Sequence, residues 1–125
     1  MSAWIENKGN NNFELHPLPP VAQWSPVYGI LAADFNGDGH TDILLSGNEY
    51  NAQPFAGRID AGNGLLLEGN SKGRFQPLSI TESGIYIPGN GRALAGFNYA
   101  GQFTIAAVQN QGPLLLFQKK TSRRK

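Results

Sequence analysis

The sequence contains no cysteine, which excludes disulfides, thiolate nucleophiles and Cys-ligated zinc. It also lacks a long apolar run. Nothing in it approaches the ~20 consecutive apolar residues that a bilayer-spanning helix needs. Neither sign of charge prevails: ten Lys and Arg stand against nine Asp and Glu, so no global field points to nucleic acid or an acidic partner. The one basic cluster, KKTSRRK at residues 119–125, reads as a solvated chain end. The opening MSAWIENKGNNNFELH has neither the basic nor the apolar region of a signal peptide. At 125 residues the chain has room for one small domain.

Uninterrupted chain is scarce as well. Sixteen glycines and eight prolines are scattered so evenly that only residues 102–111 and 114–125 run for ten or more positions without either. Helices of ordinary length, about 11 residues, have little room. What remains are short apolar stretches rich in Ile, Leu, Val and Phe: YGILAADF, TDILLSG, GLLLEG, FQPLSI, ALAGF, FTIAAVQ and PLLLFQ. Each is bounded by Gly, Asn, Pro or Asp, the signature of strands and turns, so the chain is expected to be all-β.

Sliding the sequence by 62 residues reveals an internal repeat without gaps over its centre. Phe13 falls on Phe75, Pro26 on Pro88, Gly29 on Gly91, Ala33 on Ala95, Phe35-Asn36 on Phe97-Asn98, Gly39 on Gly101, Ile43 on Ile105 and Asn48 on Asn110. Glu6 falls on Glu68, just after the apolar pairs Trp4/Leu66 and Ile5/Leu67. The copies occupy roughly residues 4–48 and 66–110. GPLLLFQKK after the second copy resembles GLLLEGNSK at a shorter spacing, so residues 49–63 are an insert of the first copy. Inserts between repeated elements belong in surface loops, often on a binding face. One unit then reads as strands at residues 30–34, 42–46, 65–68 and 75–80, with a tight GNSKG turn before the last. Four short antiparallel strands per unit make a propeller-type blade. The expected object is an incomplete propeller of about two blades, a single segment over residues 1–125.

The chemistry is concentrated in DFNGDGHTD, residues 34–42. Calcium (Ca2+) takes six to eight oxygen ligands, and a short loop supplies them from alternate positions when glycine permits a sharp bend. Asp34, Asn36 and Asp38 stand at alternate positions, Gly39 allows the bend, His40 offers its main-chain carbonyl and Asp42 closes the set. The octahedron of Mg2+ tolerates such a loop poorly, and zinc lacks its usual ligands. An EF-hand is excluded because its bidentate Glu would fall on Leu45. The competing reading is a polar turn held by side-chain bonds to its own backbone. In the second copy the loop reads GFNYAGQFT: Asp34, Asp38 and Asp42 become Gly96, Ala100 and Thr104, while Phe97, Asn98 and Gly101 are expected to keep the turn's skeleton. That copy should bind no metal. A catalyst would not survive this loss in a sister repeat, whereas a structural ion can be replaced by turn packing, so the ion is read as a staple.

With these residues in hand, the chain resembles the FG-GAP repeats of integrin-α-type β-propellers and of bacterial VCBS-repeat proteins. GILAADFNGDGHTDILLSGN carries the apolar strand, acidic loop and apolar strand of that motif, and GLLLEGNSKGRF resembles the segment that follows it. The resemblance weakens after Gly91, where the acidic loop is lost. It implies Ca2+ held by Asp34, Asn36, Asp38, Asp42 and the His40 carbonyl. It also implies a closed propeller, commonly of seven blades, so this chain would be part of a longer one or would associate with copies of itself. The N-terminus begins inside a repeat, AWIENKGNNNF matching LLLEGNSKGRF, which points to a truncated start.

Function is expected to be protein or glycan binding through residues 49–63, with Tyr50, Phe55, Arg58 and Asp60 available to a ligand. The alternative is a purely architectural set of terminal blades. Trp4, Trp24 and Tyr86 are expected in the core, sugar stacking being the other use. No acidic or Ser partner stands in a recognisable arrangement with His16 or His40, and no phosphate-cradling loop exists, so no catalysis is expected. Extracellular modules bind Ca2+ at about 10⁻⁴–10⁻³ M, which favours a secreted or cell-surface setting.

Overall fold

The structure is a computed structural model that describes residues 1–48 and 63–120. Among the described residues the chain is all-β, with nine strands in three antiparallel sheets and no closed barrel. The first sheet pairs β1 (Ala3–Gly9) with β2 (Asn12–Pro17). The second runs β3 (Gly29–Ala33), β4 (Asp42–Ser46), β5 (Leu65–Gly69) and β6 (Phe75–Leu78) in chain order. The third joins β7 (Asn90–Tyr99), β8 (Gln102–Asn110) and β9 (Leu115–Gln118).

Registers show how these sheets relate. Trp4 pairs with His16 and Ile5 with Leu15, as Leu66 pairs with Leu78 and Leu67 with Pro77, 62 residues further on. The β1–β2 hairpin is therefore the counterpart of β5–β6. Likewise Leu44 faces Leu66 across β4–β5, and Ala106 faces Leu116 across β8–β9. The described residues thus hold one four-strand unit, preceded by the closing pair of one unit and followed by three strands that match the first three of another, consistent with an incomplete propeller.

The middle sheet is apolar on both faces, and alternation assigns each residue to one of two cores. Leu44 and Leu66 point to one side, where Ile105, Ala107, Ile85 and Ile87 pack on them. Leu45, Leu65 and Leu67 point to the other, against Leu18, Ala22, Trp4 and Phe75. Leu44 and Leu67 are wholly buried, so truncating either to Ala would cost about 2–5 kcal/mol.

Two expectations about the strands and turns need correction. The strand expected over residues 75–80 ends at Leu78, and Ile80–Ser83 form one helical turn. Ser79 caps it by accepting the Glu82 N–H while Glu82 accepts the Ser79 N–H, and Gly84 at φ 71° stops it. This reciprocal cap and left-handed glycine outweigh the β preference of Ile80. The second departure lies in the twin loop. Its nine residues do not keep the turn of the first copy: β7 and β8 run on through Phe97↔Thr104, Asn98↔Phe103 and Tyr99↔Gln102. Only Ala100 and Gly101 remain as a turn, both at positive φ (50° and 77°), the two-residue hairpin geometry that fits strand twist.

Candidate metal centre

The acidic loop has the same length as its twin, yet it stays open over the eight residues between Ala33 and Asp42. Its side chains occupy the main-chain donors that a ladder would have used. Asp34 Oδ1 accepts from Gly37 N–H (2.7 Å) and Asp38 N–H (3.2 Å), and its Oδ2 accepts from Gly39 N–H (2.9 Å). Asn36 Oδ1 accepts from Asp38 N–H (2.9 Å), and Asp38 Oδ1 from His40 N–H (2.8 Å). Gly37 and Gly39 supply the left-handed backbone (φ 83° and 86°) that lets the N–H groups converge. The Gly39 N–H, and after it those of Gly37, Asp38 and Asn36, hold the Asp34 carboxyl below its ordinary value against a smaller opposing effect of desolvation.

Asp42 opens β4 and is buried, 1 % exposed. Its Oδ2 accepts the Phe35 N–H (3.0 Å) and its Oδ1 the Gly69 N–H (2.9 Å), joining the loop to the end of β5. Position 69 must be glycine, because a Cβ there would collide with the Thr41 carbonyl oxygen. Glu68, beside it, accepts from Asn36 Nδ2 (2.8 Å), which also reaches Asp38 Oδ2 (3.1 Å). Loop spacing gave no sign of Glu68. The signal lay in the repeat, which places Glu68 and Glu6 at equivalent positions.

The structure gathers Asp34, Asn36, Asp38, His40 and Asp42 in one loop, but Asp34, Asp38 and Asp42 do not bring three ligand oxygens together with all of them within 4.8 Å of one another. Among the described residues the one trio of His, Asp or Glu at that spacing is Glu6, Glu14 and His16, where Lys8 already bridges the two glutamates at 2.9 and 3.3 Å. Around the loop no described Lys, Arg or His pairs with Asp34, Asp38, Asp42 or Glu68. Lys119 Nζ instead donates to the Asn36 carbonyl at 3.4 Å. Asp42 is the one buried carboxylate of the four, and its charge is met by two main-chain N–H groups. Carboxylate, amide and carbonyl oxygens are all hard donors, and the lone pairs not used by the backbone suit Ca2+. The donor set fits.

Residues 49–62, with Tyr50, Phe55, Arg58 and Asp60, lie outside the described residues. The stem of that insert is closed by Asn48 Nδ2 donating to Asn63 Oδ1 (2.8 Å). It leaves β4 at the end opposite the acidic loop, about five residues or ~16 Å away. An ion in the loop therefore makes no contact with the base of the insert. Of the three aromatics, Trp4 packs in a core and stacks on His16 (centroids 4.4 Å), whereas Trp24 and Tyr86 are 60 % and 49 % exposed, against the expectation of burial.

Residues 27–61 match the family model of the FG-GAP repeat, a span that takes in β3, the acidic loop and β4. No curated protein and no solved structure matches the chain. No helix among the described residues is long and apolar enough to cross a membrane.

Proposed function

With an FG-GAP repeat at residues 27–61, we propose that this chain is a calcium-stapled, non-catalytic segment of a β-propeller that serves in adhesion to a protein or glycan outside the cell. The observation that carries the reading is the divergence of two loops of equal length. The neutral loop at residues 96–104 zips into a hairpin, while the acidic loop at residues 34–42 stays open with its carboxylates free of any described cationic side chain. Asp34, Asn36, Asp38, Asp42 and the His40 carbonyl would hold the ion, which supplies the missing positive charge and ties β3 to β4. The protein's own residues do the rest: Asp42 locks the loop to β5, and Asp34 shapes its backbone.

Thermal unfolding in millimolar Ca2+ and in EDTA, for the natural sequence and Asp38→Ala, tests this. At tenfold excess over the dissociation constant Ca2+ adds about 1.4 kcal/mol, a rise of several degrees that the variant lacks. An unchanged melting temperature in the natural sequence would leave the loop a polar turn.

The ligand would be met by the insert at residues 49–63, with secretion or surface display as the setting. The second reading, terminal blades with no ligand of their own, is favoured by the outer faces of the first and third sheets. Ile5, Phe13 and Leu15 on one, and Val108 and Leu116 on the other, lie exposed where a further blade or another copy would stack. Retained binding to a glycan or protein array after deletion of residues 50–61 would remove the insert from the adhesive role.

A further inference from the structure

We propose that Glu68 is a positioning residue of the acidic loop, orienting the Asn36 amide so that its oxygen is presented to the ion; this rests on the calcium reading above. Glu68 lies on β5, 32 residues from Asn36, and its Oε1 accepts from Asn36 Nδ2 at 2.8 Å. An ionised carboxylate only accepts, so it selects the NH2 end of the amide and turns Oδ1 the other way. That oxygen faces the loop, where it meets the Asp38 N–H at 2.9 Å. Asp38 favours the same sense, through its N–H on Oδ1 and its Oδ2 on Nδ2 at 3.1 Å, so Glu68 is the part of this bias that comes from outside the loop, and an amide turned by half a revolution would aim its NH2 group at a cation.

The internal repeat provides the control. Ile43 pairs with Leu67, so the next cross-strand pair in register is Asp42 with Glu68. Two carboxylates side by side on one face repel each other unless a cation lies near. In the third sheet the same pair is Thr104 with Gln118, both neutral, and Gln118 Nε2 donates to Thr104 Oγ1 at 2.8 Å. Where the loop has lost its acids, the partner on the neighbouring strand is a neutral amide bonded to its own cross-strand neighbour. Where the loop keeps them, the partner is an acid bonded to the loop's asparagine.

The test is calorimetric titration of Ca2+ into the full chain with Glu68→Ala and Glu68→Gln, read together with the 15N-NMR signals of the Asn36 side-chain amide. Glutamine keeps an oxygen acceptor for Asn36 Nδ2 and alanine keeps none. Glu68→Ala should weaken Ca2+ binding by at least about tenfold, the ordinary cost of losing a group that orients a ligand. Its Asn36 amide signals should move toward those of a solvated amide. Glu68→Gln should recover most of the affinity and leave the Asn36 signals in place. Unchanged affinity in Glu68→Ala overturns the assignment, and so does a loss in Glu68→Gln as large as in Glu68→Ala, since that effect would be one of charge. Absence of Ca2+ binding by the natural sequence overturns the calcium reading itself, and the positioning role with it.

Discussion

Asp42 Oδ1 accepts the Gly69 N–H at 2.9 Å from within the middle sheet, and its second oxygen accepts the Phe35 N–H at 3.0 Å. One side chain therefore satisfies donors on two other segments, and it does so while buried. Asp42→Ala leaves the N–H of Gly69 without an acceptor in the interior and frees that of Phe35. The expected loss is about 2–4 kcal/mol, from about 1–3 kcal/mol for the buried Gly69 donor left unsatisfied and about 1 kcal/mol for the part-buried Phe35 bond. Urea denaturation in EDTA isolates this structural part from any ion. Asp38→Ala, which removes only exposed bonds, should change little under the same conditions. Equal midpoints for Asp42→Ala and the natural sequence would show that the strut contributes nothing.

Much of this was legible in the sequence. Gly and Pro spacing with short Ile/Leu/Val runs gave the strands, and the repeat gave their order, because a strand register depends on alternation that both copies share. The cap at Ser79–Glu82 was legible too, as Ser-x-x-Glu followed by Gly, but the apolar run FQPLSI masked it. The zipping of residues 96–104 was not legible from the retained Phe, Asn and Gly. Those residues permit either a loop or a hairpin, and the choice fell to the acids: without Asx-type acceptors for its N–H groups, the backbone pairs with itself. Glu68 and Gly69 were hidden because they act across the sheet, at a separation that local spacing does not measure.

Gly69 makes a steric prediction. A methyl group at this position meets the Thr41 carbonyl oxygen, which belongs to the backbone and has no rotamer by which to yield. Gly69→Ala should destabilise the chain by about 1–3 kcal/mol in EDTA, since Asp42 loses its bond when β5 shifts, and on the calcium proposal it should weaken Ca2+ binding as well. Gly37→Ala has open space for its methyl group but sits at φ 83°, so its cost is conformational, about 1–2 kcal/mol. Asn and Ala separate the two causes: Gly37→Asn should be milder than Gly37→Ala, while Gly69→Asn should be worse than Gly69→Ala. The opposite order at either position, in thermal unfolding, would refute the corresponding cause.

The pH response of the loop follows from Asp34. Its carboxyl is held below the ordinary value of about 3.9, first by the Gly39 N–H and then by the other loop donors. A depressed carboxyl contributes stability that is complete above the unfolded-state value and is lost as pH falls through the folded-state value. In Ca2+-free protein the 13C carboxyl signal of Asp34 should therefore titrate below that of an unstructured aspartate. The amide signals of Gly37 and Gly39 should move with it. A midpoint at the unstructured value would mean that the fan of N–H groups does not form in solution.

The two outer faces lead to the last expectation. Inside the chain, the face that carries Leu44 and Leu66 stacks on the one that carries Ile105 and Ala107, and the Trp4 face stacks on that of Leu65 and Leu67. By register Leu116 is the counterpart of Leu66, and Ile5 that of Leu67. The exposed Leu116 face and the exposed Ile5 face are thus the two complementary halves of an interface the chain already makes internally. Copies in solution should associate head to tail, in a heterologous contact. Ile5→Glu and Leu116→Glu each destroy one half, so each variant alone should be monomeric by light scattering. Mixed in equal amounts they should form a one-to-one dimer, because each still carries the half the other has lost. A mixture that stays monomeric, or a natural sequence monomeric at every concentration reached, would mean that these faces are not matched to each other and are covered by a different partner.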